Sequence, residues 1–212
     1  MLHKLKLAPF FFMAGVVASF GVQAASSVDL KVTGRILPSA CAIALSGDGK
    51  ADFGTLAGLQ TGGAAYGIGV RELALSIDCQ SAMPVAIKLV DNKYDTIDAA
   101  STTKKDKLYL FGLGTSGGKK IGSYELTFKD FADGKNKLTM GFSNGGLPWV
   151  GSHEGWAQNN GTLVAFSEDG SNVASIKNLK GTLQVYANLG PSLDLKNEVD
   201  LDGSTTLELN YF

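Results

Sequence analysis

The sequence predicts an all-β protein, a sandwich of short strands, and three observations carry that prediction. Apolar residues alternate with polar ones, or form short branched and aromatic runs, between turn residues. Glycine is abundant, 27 of 212 residues, in a chain without low-complexity tracts, so the turns are many and tight. No window beyond residue 25 sustains a helical period over three turns, which argues against an α/β fold.

The strands follow in order. Residues 28–36 alternate strictly, with Gly34 where an apolar side chain is expected. Pro38 interrupts, and residues 41–45 resume as a short strand. Gly47-Asp48-Gly49 reads as a turn, Asp52-Phe53-Gly54 as a brief extended piece, and 58–69 as a glycine-rich loop. The two best core strands are 71–79 and 85–90, separated by a turn at 80–84. Residues 91–106 are polar and read as a surface excursion. Further strands are expected at 108–113, 122–128, 162–166, 182–187 and 205–211, while 131–161 blurs into Gly, Asn and Ser around Trp149 and Trp156.

Residues 1–24 have the three-part layout of a secretory signal peptide. Lys4 and Lys6 precede 7–22, a run without one charge, and Val22-Gln23-Ala24 offers the small residues a signal peptidase reads. The run is short for a membrane span and contains Pro9. Removing 24 of the 212 residues leaves 188, with 17 basic and 20 acidic side chains, and no later apolar run suited to a transmembrane segment. Export makes the only two cysteines, Cys41 and Cys79, a structural disulfide. Redox catalysis favours C-x-x-C and zinc needs more ligands, so neither pattern is met.

Composition and motifs exclude other classes. Two arginines, Arg35 and Arg71, and a net charge of −1 argue against nucleic acid as a partner. His153 is the only histidine beyond the leader, and no nucleophile elbow accompanies it, so the chain reads as no enzyme. Gly112-Leu113-Gly114-Thr115-Ser116-Gly117 matches a dinucleotide fingerprint, but a strand-like run follows where a helix should, so a hairpin is expected. Asp200-Leu201-Asp202-Gly203 begins like a calcium loop and lacks its glutamate. Asn160-Gly161-Thr162 is a sequon only where glycosylation machinery exists. No cofactor or metal site is expected.

Both ends of the mature chain alternate. At the start, Val28, Leu30, Val32, Gly34 and Ile36 share one face; at the end, Thr205, Leu207, Leu209 and Tyr211 share one and Phe212 lies on the other. Such segments suit either insertion into an open apolar groove or the ordinary first and last strands of a closed sandwich.

Residues 28–41 with Gly34 inside the alternation, Asp52-Phe53-Gly54, Cys79 closing a strand and the penultimate Tyr211 resemble the chaperone–usher pilins. Ser76-Ile77-Asp78-Cys79, Val90-Asp91-Asn92, Phe111-Gly112-Leu113-Gly114 and Lys120-Ile121-Gly122 are similar to the narrower GltF-like group of fimbria-related periplasmic proteins. The resemblance implies an immunoglobulin-like, pilin-type sandwich over 38–212 that lacks its last strand. It also implies a donor strand in an N-terminal extension over 25–37. Val28, Leu30, Val32 and Ile36 would fill pockets of a neighbouring subunit, and Gly34 a narrow point of its groove. Leu207, Leu209, Tyr211 and Phe212 would flank the groove and be the handle of a periplasmic chaperone. The implied partners are that chaperone, an outer-membrane usher and other fimbrial subunits; the implied place is the periplasm and then the surface fimbrium of a Gram-negative bacterium. Residues 91–106 and 131–161 make the chain longer than a minimal pilin. The competing expectation is a non-polymerising periplasmic relative that binds a small ligand or sugar, with Tyr94, Trp149 and Trp156 as contacts.

Overall fold

The computed structural model describes residues 30–33, 40–59, 61–103, 106–143, 150–152 and 155–212. The chain divides into two units, Met1–Leu37 and Pro38–Phe212. In the first, residues 30–33 carry no regular secondary structure, and the expected signal peptide and the positions Val28, Gly34 and Ile36 lie outside the described residues.

The second unit is all-β, with no α-helix among the described residues. Its strands are β1 (Cys41–Leu45), β2 (Tyr66–Asp91), β3 (Phe111–Gly112), β4 (Thr115–Ser116), β5 (Lys119–Lys120) and β6 (Gly122–Asp133). They continue with β7 (Asn136–Lys137), β8 (Thr139–Ser143), β9 (Val150–Ser152), β10 (Asn160–Ser167), β11 (Ser175–Leu189) and β12 (Thr205–Tyr211). All pairings are antiparallel. One sheet runs β3-β6-β11-β2-β1, with β7 on β6, and the other β12-β2-β10-β8-β9.

Strand β2 belongs to both sheets. Its residues 66–84 pair with β11, and 85–91 pair with β12. The turn expected at 80–84 is therefore absent: the chain bends from one sheet into the other while remaining extended, as strands do at sandwich corners. Pro84 stands at the last β11 pairing, where its missing N–H is tolerated. The expected loop 58–69 is likewise shorter, because β2 begins at Tyr66. Gly69, at φ +112°, sits beside the register shift between Ala187 and Asn188, a bulge that a glycine accommodates. The strand expected at 108–113 is a 3-10 turn, Lys107–Tyr109, followed by the two residues of β3.

Alternation in β2 puts Leu73, Leu75, Ile77 and Cys79 into the core and Glu72, Ala74 and Asp78 outside. Aromatic rings fasten the sheets together: Phe131 of β6 stacks on Phe166 of β10 at 4.6 Å, and Phe128 meets the same ring edge-on at 6.4 Å. Residues 91–106 are less solvated than their polarity implies, since Ile97 and Ser101 are buried and Ser101 Oγ hydrogen-bonds Ser123 Oγ. The glycine-rich stretch 112–118 forms the β4–β5 hairpin around Gly117-Gly118. Among the described residues no helix is long and apolar enough to cross a membrane.

Candidate functional site

Two strands, β1 and β12, pair with β2 alone, so each leaves one edge open among the described residues. Register decides what those edges present. The Gln80 N–H donates to the Ala40 carbonyl, which makes 40/80, 42/78 and 44/76 the bonded pairs of the β1–β2 ladder. The N–H and C=O groups of Cys41, Ile43 and Leu45 therefore face away from β2. The Asn92 N–H donates to the Ser204 carbonyl, and the same alternation turns the backbone groups of Thr205, Leu207, Leu209 and Tyr211 to the open edge of β12. On both strands, residues with outward backbone groups are those set against the core: Ile43, Leu45, Leu207 and Leu209 are half-buried and pack on it.

Between the edges runs an apolar seam. A cavity of about 460 Å³ is lined by Leu45, Phe53, Leu73, Leu126, Val185 and Leu207. A second, about 540 Å³, is mixed in character: Leu56, Leu59, Leu189, Leu195, Val199 and Leu201 line it together with Asp52, Asn197, Glu198 and Asp200. Lys50, Ala51, Phe53 and Leu201 border both, so the two are neighbours.

The first wall of the seam is fixed by covalent and charged contacts. Cys41 and Cys79 form the expected disulfide across the β1–β2 ladder, closing a separation of 38 residues. Asp52-Phe53-Gly54 is held by Arg71. Its Nε donates to the Asp52 carbonyl at 2.6 Å and its Nη2 to the Phe53 carbonyl at 3.2 Å. The guanidinium lies 4.8 Å from the centre of the Phe53 ring. The Asp52 carboxylate accepts the Gly54 N–H at 2.8 Å, and Gly54 takes φ +69°, which only glycine adopts freely. That backbone hydrogen bond, helped by Lys50, holds the Asp52 carboxyl below its ordinary range.

The second wall is pinned at its start. The Asn92 side-chain amide donates to Ser204 Oγ and Thr206 Oγ1, both at 3.0 Å. Lys93 pairs with Asp202 at 2.5 Å, and the Asp202 N–H donates to the Leu113 carbonyl. The Asp91 carboxylate accepts the N–H groups of Lys93 and Gly112; burial raises its pKa despite both bonds. Val90-Asp91-Asn92 is thus a bracket joining the end of β2 to β3 and to the start of β12. Tyr124 donates to or accepts from Thr205 Oγ1 at 2.5 Å, and burial pushes its phenol well above the ordinary tyrosine range. Asp202, read in the sequence as part of a calcium-like start, is an ion-pair partner here, and Gly203 packs on Tyr124.

At the far end of β12, Tyr211 and Phe212 are half exposed, at 47% and 53%. The Tyr211 hydroxyl accepts the Cys41 N–H at 3.3 Å and donates to the Cys41 carbonyl at 3.4 Å. In the first unit, Leu30 and Val32 are exposed, at 89% and 87%. Of the aromatic contacts expected for a small ligand, Tyr94 is exposed on a 3-10 turn. Trp156 bridges to Thr127 of β6 and packs on Tyr186 at 5.6 Å. Trp149 and His153 lie outside the described residues. The sequence reading missed Ile43, Leu45, Leu195, Val199 and Leu201 as seam residues and Arg71 as the clasp. The spacings Leu193-x-Leu195 and Val199-x-Leu201 carried a signal, masked by the charges between them.

The family described as "Protein of unknown function (DUF1120)" matches residues 30–125. The matched part holds the disulfide, Asp52-Phe53-Gly54, Arg71 and the Asp91 bracket, and stops short of β12. The chain is also similar to the "Uncharacterized protein YhcF" of Escherichia coli (strain K12), 25% identical over 227 aligned residues that cover 91% of this chain and 94% of that one. No solved structure matches the chain.

Proposed function

We propose that this chain is an exported structural subunit of a chaperone–usher fimbria, polymerising by donor-strand exchange. The observation that carries the reading is the pair of open edges, β1 and β12, flanking one apolar seam. Their outward backbone groups and core-facing side chains alternate together. A strand laid between them gains ladder bonds on both sides and seats alternate side chains in the seam, which is β-augmentation. Residues 25–37 of a second copy have the matching pattern, with Val28, Leu30, Val32 and Ile36 at alternate positions and Gly34 among them. Left open, two edges and an apolar seam favour aggregation, so a periplasmic chaperone that lends a strand, and an usher that hands the subunit on, fit this reading. The disulfide agrees with an oxidising compartment.

A second reading, a non-polymerising periplasmic pilin-like protein that binds a small ligand or sugar, draws on the cavity volumes, which fall within the ordinary range for ligand sites. Co-expression with a cognate chaperone separates the two. The full chain should give ladders on unboiled gels that collapse on heating, and deletion of residues 28–36 should abolish them. A monomer that is stable alone and indifferent to the deletion overturns the polymerising reading.

A further inference from the structure

We infer that the Tyr211 hydroxyl is a latch that closes one end of the seam and must be released before a strand seats there. This rests on the reading of the seam as a strand acceptor. Its physical basis is the position of the two hydrogen bonds. Tyr211 Oη satisfies both the N–H and the C=O of Cys41, the first outward-facing backbone pair on the open edge of β1. An inserted strand needs that same donor and acceptor to begin its ladder, so strand and phenol compete for one site.

The geometry favours a releasable contact over a structural anchor. Paired strands lie about 4.8 Å apart and bond backbone to backbone; here a side chain as long as tyrosine is needed to cross from β12 to β1. The two bonds, at 3.3 and 3.4 Å, are longer than usual for N–H···O and O–H···O, and the residue is 47% exposed, so little packing holds it. Cys41 is the fixed partner, tied to Cys79 by the disulfide. Tyr211 is the releasable one, since it reaches Cys41 through a side chain that can turn to another rotamer without breaking the β12–β2 ladder, which runs from Thr205 to Tyr211. The first cavity lies toward Leu45 and Leu207, away from Cys41 and Tyr211, so the latch restricts the end that this cavity does not reach.

The test is the uptake of a fluorescein-labelled peptide of residues 25–37 by the full chain, followed by fluorescence anisotropy. Tyr211→Phe keeps the ring and removes the hydroxyl. It should raise the association rate about three- to tenfold, since the two long bonds it removes together amount to about one ordinary neutral hydrogen bond, and leave the dissociation rate unchanged. Tyr211→Leu, which also lacks the hydroxyl, should accelerate association by a similar factor, so the result does not hang on one variant. Equal association rates in all three proteins, with the peptide bound, overturn the latch and leave the acceptor reading standing. Faster dissociation with unchanged association also overturns it, because Tyr211 would then be a contact of the bound strand. No uptake by any of the three overturns the acceptor reading itself, and the latch with it.

Discussion

The two walls of the seam are built from the same alternating pattern yet held in different ways. The first wall, β1 and the residues after it, is tied at one end by the Cys41–Cys79 disulfide and at the other by Arg71 gripping the Asp52 and Phe53 carbonyls. The second, β12, is held by non-covalent contacts alone: its ladder with β2 over Thr205–Tyr211, Asn92 at its start, an exposed Lys88–Glu208 pair at 3.4 Å and two long tyrosine bonds at its end. An exposed ion pair of that kind adds little. One wall is thus fixed by a covalent bond and a guanidinium clasp, the other by backbone pairing and side-chain hydrogen bonds.

The comparison breaks most sharply at the disulfide. Replacing both cysteines (Cys41→Ser with Cys79→Ser) should lower stability by about 4 kcal/mol on the loop-entropy account, read from urea unfolding, and cut periplasmic yield. Unchanged stability would show that the first wall needs no staple. Next in size, Phe53→Ala should destabilise by about 3 kcal/mol, since the ring is buried and stacked under Arg71. Leu209→Ala on the second wall should lose less, about 1–2 kcal/mol, because the side chain is only half-buried. Equal losses at the two positions would erase the distinction.

Smaller effects sharpen it. Asn92→Ala removes two exposed hydrogen bonds and should lower stability by about 1 kcal/mol while speeding amide exchange in β12 and leaving β1 unaffected. The smallest is a pH effect at Asp52. Its carboxyl is held below the ordinary range in the folded protein by the Gly54 N–H, so its stabilisation is present above about pH 4 and is lost as the pH falls through the folded value. Urea midpoints of the wild type and Asp52→Asn should differ at pH 7 and converge in acid; a gap independent of pH would contradict this.

Much of this was legible in the sequence because alternation maps directly onto the faces of a strand. The inward set of β12 and the pairing of the two cysteines needed no tertiary knowledge. The corner at 80–84 was misread because Ser81 and Pro84 are turn residues by composition, and only the sheet partners show that the strand continues through them. Arg71 was invisible as a clasp because its targets lie 18 and 19 positions away and reach it only once β1 has paired with β2. The seam itself could not be read for a related reason. It is made by two edges from opposite ends of the chain, and its second cavity draws on residues 193–201, whose leucines and valine stand among charges.

The most direct test of the central claim is residue-resolved amide hydrogen exchange of the full chain with and without the peptide of residues 25–37. Ile43, Leu45, Leu207 and Leu209, whose N–H groups face the open edges, should become protected together on adding the peptide, while amides of β8 and β10 do not change. Exchange at those four amides that is the same with and without saturating peptide would contradict it.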